Sequence, residues 1–203
     1  QEDGIMTKRY SLSVCSIFLS VLFLMTIALP LYSSDMSDAK MLRERSEKEI
    51  QQLEVCVKNF GDDSEKERFT RAQRLVKMGK LKITQSKFKE AIDNYNQYLK
   101  MQYNLYVDLA KKYINRTQTV NDEVAEELVD HIDKPNVDKY FKLAYRNLKN
   151  ARDSMNQKNP VQAIRDCRKS KEYSLGVYKL VGQAVPEKYT VDVLDAQGKI
   201  AGN

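Results

Sequence analysis

The sequence predicts an all-α protein of antiparallel helical hairpins, with about six helices, one of them unusually long. The composition is the first reason: 42% of the 203 residues are hydrophobic and 31% are charged, with only 7 glycines and 4 prolines. Few chain breakers and many charges favour long amphipathic helices. The second reason is that hydrophobic residues recur at helical spacing in segments separated by short polar breaks. Short connections predict antiparallel neighbours.

Residues 1–34 have the organisation of a secretory signal peptide. Two basic residues at 8–9 precede an apolar run over about 12–31, and two serines follow at 33–34. We therefore expect a bacterial protein that is exported, with a periplasmic location as the first interpretation. Because the apolar run has about 18–20 residues, an uncleaved membrane anchor is the alternative. The five residues before Met6 are interpreted as a possible extra leader.

The helical domain is expected over residues 35–182, and its first three helices follow from local patterns. A thin apolar stripe predicts a helix over about 37–57, which "NFGDD" ends. Ser64 and Glu67 form the pattern of a capping box that opens a second helix to about residue 83. The third helix is expected over 87–115, roughly 28 residues or about 40 Å long.

The remaining helices are expected after "RTQT" at residues 116–119, which we interpret as an interruption. A short acidic helix follows over 120–132, and another runs from Asn136 to about Gln157. Asn159 before Pro160 is a favourable start for the last helix, which runs to about residue 181. Residues 183–203 are expected to be an extended tail with a strand-like "YTVDVL".

Four tyrosines fall in twelve positions of the third helix, and helical spacing separates their roles. Tyr95 and Tyr106 lie on the apolar stripe, whereas Tyr98 and Tyr103 lie on its two flanks. Tyr103 is expected to be the more exposed of these two. Tyrosines with an apolar body and a polar tip suit protein surfaces, so Tyr98, Tyr103 and Tyr106 are the candidate partner-binding residues. Rings at the edge of the core that reach water are the alternative.

The sequence contains no pattern of an enzyme or of a cofactor site. Its single histidine, His131, has no second histidine or thiol in its neighbourhood to complete a metal site, so neither a metal nor a cofactor is expected. The basic residues are interspersed with acids and form no dense tract, which argues against nucleic acid. An ordinary solvated helical surface is the first interpretation, and a bias toward an acidic partner surface is the alternative. Cys56 and Cys167 are a candidate disulfide, since export leads to an oxidising compartment.

The segment "MGKLKITQSKFKEAIDNYNQYL" resembles a tetratricopeptide-repeat hairpin. Gly79 stands where the first helix of such a hairpin needs a small residue, and Ala91 lets the second helix approach between aromatic neighbours. Lys82 and Tyr98 depart from the pattern, and no proline ends the second helix. A weaker match surrounds Ala163, so two related hairpins are expected rather than a regular array.

The segment "YFKLAYRNL", together with the charged helices of an exported chain, resembles the flagellar-coiling proteins of the spirochaete periplasmic flagellar sheath. The resemblance implies an elongated, non-enzymatic structural protein that binds flagellar filament or sheath proteins by lateral contacts. The alternative is a tetratricopeptide-like adaptor of the cell envelope that binds a peptide or protein in a groove. Membrane contact is expected only through the signal segment, if it is not cleaved.

Overall fold

The computed structural model describes residues 34–201, and this part of the chain is built from helices and their connections, without a β-strand. The all-α prediction with one unusually long helix is therefore confirmed. The predicted signal peptide lies outside the described residues, apart from its last position. The helices are α1 (34–60), α2 (Asp63–Thr84), α3 (Phe88–Glu127), α4 (Val137–Asn156), α5 (Pro160–Leu180) and α6 (Thr190–Ala196), with 3₁₀ turns at Val129–His131 and Glu187–Tyr189.

A capping box starts α2, two residues earlier than the sequence predicts. The backbone N–H of Glu65 donates to the carboxylate of Asp62 at 3.1 Å, and the backbone N–H of Asp62 donates to the carboxylate of Glu65 at 2.8 Å. The Lys112 ammonium lies 2.6 Å and 2.5 Å from these two carboxylates. This cation on α3 explains why Asp62 and Glu65, rather than Ser64 and Glu67, form the box.

The α2–α3 hairpin packs as the small and aromatic residues predict. Gly79 faces Tyr95 so closely that an added Cβ would lie 2.6 Å from the Tyr95 ring. Ala91 and Tyr95 are fully buried. An ion pair joins Arg68 to Asp108 at 2.8 Å, far along the hairpin from the turn. The close approach of α2 to α3 therefore depends on the absence of a side chain at residue 79.

Helix α3 runs without a break for 40 residues, so the interruption predicted at 116–119 and the separate acidic helix are wrong. The Arg116 guanidinium binds the buried carboxylate of Asp192 at 2.6 Å, and the Thr119 hydroxyl donates to the Asn115 carbonyl oxygen within the helix. Tertiary contacts thus override the weak local helix propensity of this segment.

Helices α4 and α5 form the second hairpin, and the predicted start of α5 is confirmed. The Asn159 side chain accepts a hydrogen bond from the backbone N–H of Gln162 at 3.2 Å, and Pro160 occupies the first turn. Asn136 precedes α4 with a φ of 70° and makes no capping hydrogen bond through its side chain.

The helices are arranged around α3, which belongs to both halves of the molecule. α1 and α5 run parallel to α3, because their contacts with it advance in the same direction along the chain. α2 and α4 run antiparallel to it. The N-terminal core, centred on Leu53, Tyr95 and Leu105, packs α1, α2, the last turns of α4 and the first turns of α5 on the first half of α3. The C-terminal core, centred on Val120 and Tyr178, packs α4 and α5 on the second half.

The C-terminal segment is helical, which corrects the prediction of an extended tail with a strand-like "YTVDVL". Residues Glu187–Tyr189 form a 3₁₀ turn and Thr190–Ala196 form α6. Tyr189, Asp192 and Asp195 are buried. The alternation of polar and apolar residues suggested a strand, but the buried face of α6 carries carboxylates that find cations on α3 and α5.

Candidate functional site

A cluster of buried charges separates the two cores and attaches α6 to the bundle. Lys171 is fully buried, and its ammonium lies 2.9 Å from the Asp192 carboxylate and 3.3 Å from that of Asp195. Arg168 binds Asp195 through two N–H groups, at 2.8 Å and 3.2 Å. Arg116 binds Asp192. We call these five residues the buried ion cluster.

Aromatic residues and hydrogen bonds complete the cluster. The Tyr113 hydroxyl donates to Asp195 at 2.5 Å, and the Lys171 ammonium lies 4.4 Å from the centre of the Phe60 ring. Burial alone would raise the pKa of Asp195, but the hydrogen bond from Arg168 and the charge of Lys171 outweigh it and lower this pKa. The carboxylate therefore stays ionised, and the cluster acts as an anchor for α6.

The end of α6 closes against the end of α1. The Asn59 side-chain amide donates to the Lys199 carbonyl oxygen at 2.9 Å and accepts from the backbone N–H of Ala201 at 2.9 Å. α1 ends at Phe60, whose ring contacts Tyr113 of α3, and Asp195 of α6 also contacts Tyr113. α6 therefore packs on α3 directly after the end of α1, on the same side of the helix. This junction forms one end of a surface groove.

The groove lies between α1 and α5, and α3 forms the floor of its first part. One cavity of about 200 Å³ is lined by Tyr103 and Tyr106 of α3, together with residues of α1 and α5. A second cavity of about 480 Å³ continues toward Gly198, beyond α6. Gln52 and Arg165 line both cavities, so the two cavities adjoin and form a single surface feature. We call it the α1–α5 groove.

Three arginines and a single glutamate supply the charge of the groove. Arg45 pairs with Glu49 at 2.9 Å, and Arg168 pairs with Asp195 in the buried ion cluster. Arg165 is exposed, and among residues 34–201 it makes no ion pair and no side-chain hydrogen bond. The groove therefore presents one uncompensated guanidinium at its centre.

The structure separates the three tyrosines predicted to bind a partner. Tyr103 is 43% exposed at the groove, and its hydroxyl lies 3.5 Å from the Lys158 carbonyl oxygen, which is long for a hydrogen bond. Tyr106 is 5% exposed and lines the floor, and burial raises its pKa. Tyr98 is fully buried, so its placement on an accessible flank is wrong. The reason is that α1 packs on this side of α3, since its buried residues belong to the same core as Tyr98.

The other candidate residues do not form a reactive site. Cys56 and Cys167 are buried free thiols, so the predicted disulfide is absent from the structure. Burial raises the pKa of both thiols, that of Cys167 to about 11. His131 lies beside Gln183, with 3.4 Å between their side-chain nitrogens. Residues 34–201 contain no group of three or more histidine, cysteine or acidic side chains that could hold a metal ion.

Sequence reasoning missed Arg165 and Gln52 as groove residues, and it missed the buried ion cluster. Arg165 is one of many exposed basic residues, and only the alignment of α1 against α5 distinguishes it. Asp192 and Asp195 have the i, i+3 spacing of one helical face. That spacing could have indicated a helix with both carboxylates on one face, but the segment is too short to show the hydrophobic periodicity that would confirm a helix.

The comparisons with known proteins give a family. A family model described as the surface protein adhesin OmpL37 matches residues 34–184, which cover α1 to α5 and the turn that follows. The chain belongs to the OmpL37 family. The match includes all the groove residues of α1, α3 and α5. No curated protein and no solved structure matches the chain.

Membership of the OmpL37 family supports an exported, cell-surface protein that acts through interaction rather than catalysis. The match is to neither flagellar sheath proteins nor tetratricopeptide repeats, so the resemblances drawn from the sequence receive no support as families. Within the part of the chain that the structure describes, each helix is too short or too polar to span a bilayer.

Proposed function

We propose that the protein is a non-enzymatic adhesin of the cell surface that binds a protein partner in the α1–α5 groove. The observation that carries the proposal is the OmpL37 family match over residues 34–184, together with an open groove that contains an exposed tyrosine. Tyrosine and arginine are the residues that most often contribute strongly to protein interfaces. Tyr103 and Arg165 combine these two chemistries on a rigid helical base.

The location of Tyr103 supports a docking role. Its ring is 43% exposed, although the neighbouring floor residues Gln102 and Tyr106 are 6% and 5% exposed. The ring therefore stands at the rim of the groove, where a partner that enters would bury it. An exposed aromatic ring that gains burial only in a complex contributes to binding without contributing much to folding.

Replacing Tyr103 by alanine tests the proposal. We immobilise a panel of proteins and identify those to which beads coated with the wild-type protein attach. Beads coated with the variant should attach about tenfold less to the same proteins, because a tyrosine that becomes buried in a complex contributes on the order of 1.4 kcal/mol. Circular dichroism and the melting temperature should stay unchanged. Attachment equal to wild type would contradict the role of the groove.

Tyr145→Ala is the control, with its folding checked by circular dichroism because the Tyr145 hydroxyl donates to Asp122 at 2.8 Å. Tyr145 is a comparably exposed tyrosine, 39%, on α4 and outside the groove. We expect this variant to attach like the wild type. If both variants lost attachment equally, general surface stickiness of tyrosine would explain the effect and the groove would have no special role.

The role in the periplasmic flagellar sheath is the competing hypothesis, and it rests on the sequence resemblance alone. Antibody labelling of intact and permeabilised cells separates it from the surface role. A surface adhesin is labelled on intact cells, whereas a sheath component is labelled only after permeabilisation and co-purifies with flagellar filaments. The other alternative, a tetratricopeptide-like adaptor of the cell envelope, is closer to the proposed adhesin, because it would also bind a peptide or protein in a groove.

A further inference from the structure

We infer that the α1–α5 groove binds an extended acidic peptide segment, with Arg165 pairing a carboxylate of that segment. The inference rests on the proposed function and names the chemistry of its partner. It begins with the arginines of the groove, which differ in whether the protein already supplies their counter-charge.

Arg165 is the groove arginine whose donors remain available. Glu49 already pairs with Arg45 at 2.9 Å, and Asp195 already pairs with Arg168 at 2.8 Å. Arg165 has no such partner in the described range 34–201. A guanidinium offers five N–H donors in a planar fork that matches a carboxylate, so a carboxylate is the ligand that this site lacks.

The position of Arg165 is central because it lines both cavities of the groove. The α1 wall extends from Arg45 to Val55, which corresponds to about 15 Å along a helix. An extended chain advances about 3.3 Å per residue, so the groove has the length of a segment of roughly four to five residues. A carboxylate in the middle of such a segment would lie opposite Arg165.

The rest of the lining suits a peptide backbone. The side-chain amides of Gln51 and Gln52 are exposed and make no hydrogen bond within residues 34–201. Amides both donate and accept, as a peptide backbone requires. Glu49 is the one carboxylate among the residues that line the two cavities, and Arg45 neutralises it. The groove therefore repels cationic peptides and attracts anionic ones.

Fluorescence anisotropy with labelled ten-residue peptides tests the inference on the purified chain. The probes are a peptide that alternates Glu with Gly and Ser, and a matched peptide with Gln in place of Glu. We expect the Glu peptide to bind at least tenfold more tightly than the Gln peptide, and Arg165→Glu to remove about tenfold of that affinity. Arg165→Lys should restore only part of it, because lysine keeps the charge without the fork.

Arg74→Glu is the matched control, with the same change in charge. Arg74 is exposed on α2, outside the groove, and makes no ion pair within the described part of the chain. Its variant should bind the Glu peptide within about twofold of the wild type. Equal losses for Arg74→Glu and Arg165→Glu would overturn the inference in favour of non-specific attraction to a chain of net charge +6.

The outcomes also distinguish this inference from the proposed function. If Tyr103→Ala abolishes attachment while Arg165→Glu leaves it and peptide binding unchanged, the groove is a docking site for a partner that is not acidic. If neither variant changes attachment, both ideas fail. Equal binding of the Gln and Glu peptides would also overturn the inference, because the carboxylate would then contribute nothing.

Discussion

The two parts of the protein that pack on α3 are held in different ways. In the N-terminal core, the hydroxyls of Tyr95 and Tyr98 are buried without a hydrogen-bond partner among residues 34–201. At the buried ion cluster, by contrast, where α6 meets α3 and α5, the Tyr113 hydroxyl donates a hydrogen bond to the Asp195 carboxylate. The first region is stabilised by shape and apolar burial. The second is stabilised by specific pairing of buried charges, which is costly when one member is missing.

The largest effect is expected where the buried ion cluster is broken. Lys171→Met keeps much of the side-chain volume but leaves Asp192 and Asp195 with fewer cations, so we expect the free energy of unfolding to fall by about 3 kcal/mol. Urea denaturation followed by circular dichroism measures the change. The control is Lys169→Met, which removes a half-exposed lysine paired with Glu172 at 3.3 Å and should cost less than about 1 kcal/mol. Equal losses would contradict the comparison.

The next effect tests shape in the N-terminal core. Gly79→Ala places a Cβ 2.6 Å from the fully buried Tyr95 ring, so we expect a loss of about 2 kcal/mol from overpacking, despite the better helix propensity of alanine. Gly176→Ala is the control, since its Cβ would lie 3.1 Å from the Tyr140 ring, a milder overlap with a ring that is only partly buried. A gain of up to about 1 kcal/mol is expected there. A Gly79 variant as stable as the wild type would refute tight packing at this contact.

The smallest effects compare two buried tyrosines directly. Tyr113→Phe removes a hydrogen bond to an ionised carboxylate and should cost about 1.5 kcal/mol. Tyr98→Phe removes a hydroxyl that has no partner in the described structure, so we expect it to be neutral or to stabilise by up to about 1 kcal/mol. Thermal unfolding of the two variants side by side gives the sign. A loss of stability for Tyr113→Phe with no loss for Tyr98→Phe would support the contrast between the two regions. Equal destabilisation by the two variants would contradict it.

The same contrast explains what the sequence could predict. Gly79, Ala91 and Tyr95 belong to one hairpin, so their contacts follow from local spacing. The partner of Arg116 lies 76 residues away at Asp192, and no local pattern reveals that the pair keeps α3 helical. The short α6 was not predicted, because its seven residues are too few to show the hydrophobic periodicity of a helix. The alternation of polar and apolar residues in this segment suggested a strand instead.

The candidate site was predictable only in part. Helical spacing correctly indicated that Tyr103 would be more exposed than Tyr98. It could not indicate that α1 would cover Tyr98, since that depends on how two distant helices align. Nor could it separate Arg165 from the other basic residues, because the counter-charges of Arg45 and Arg168 become visible only when α1, α5 and α6 are assembled.

Helix α3 contributes side chains to both cores along its 40 residues, a length of about 60 Å. If one core unfolded, the part of α3 that packs in it would lose its tertiary contacts, and an isolated helical segment of that length is only marginally stable in water. The two cores therefore share one helix. We expect heat or denaturant to unfold both cores together, in a single cooperative transition rather than in two steps.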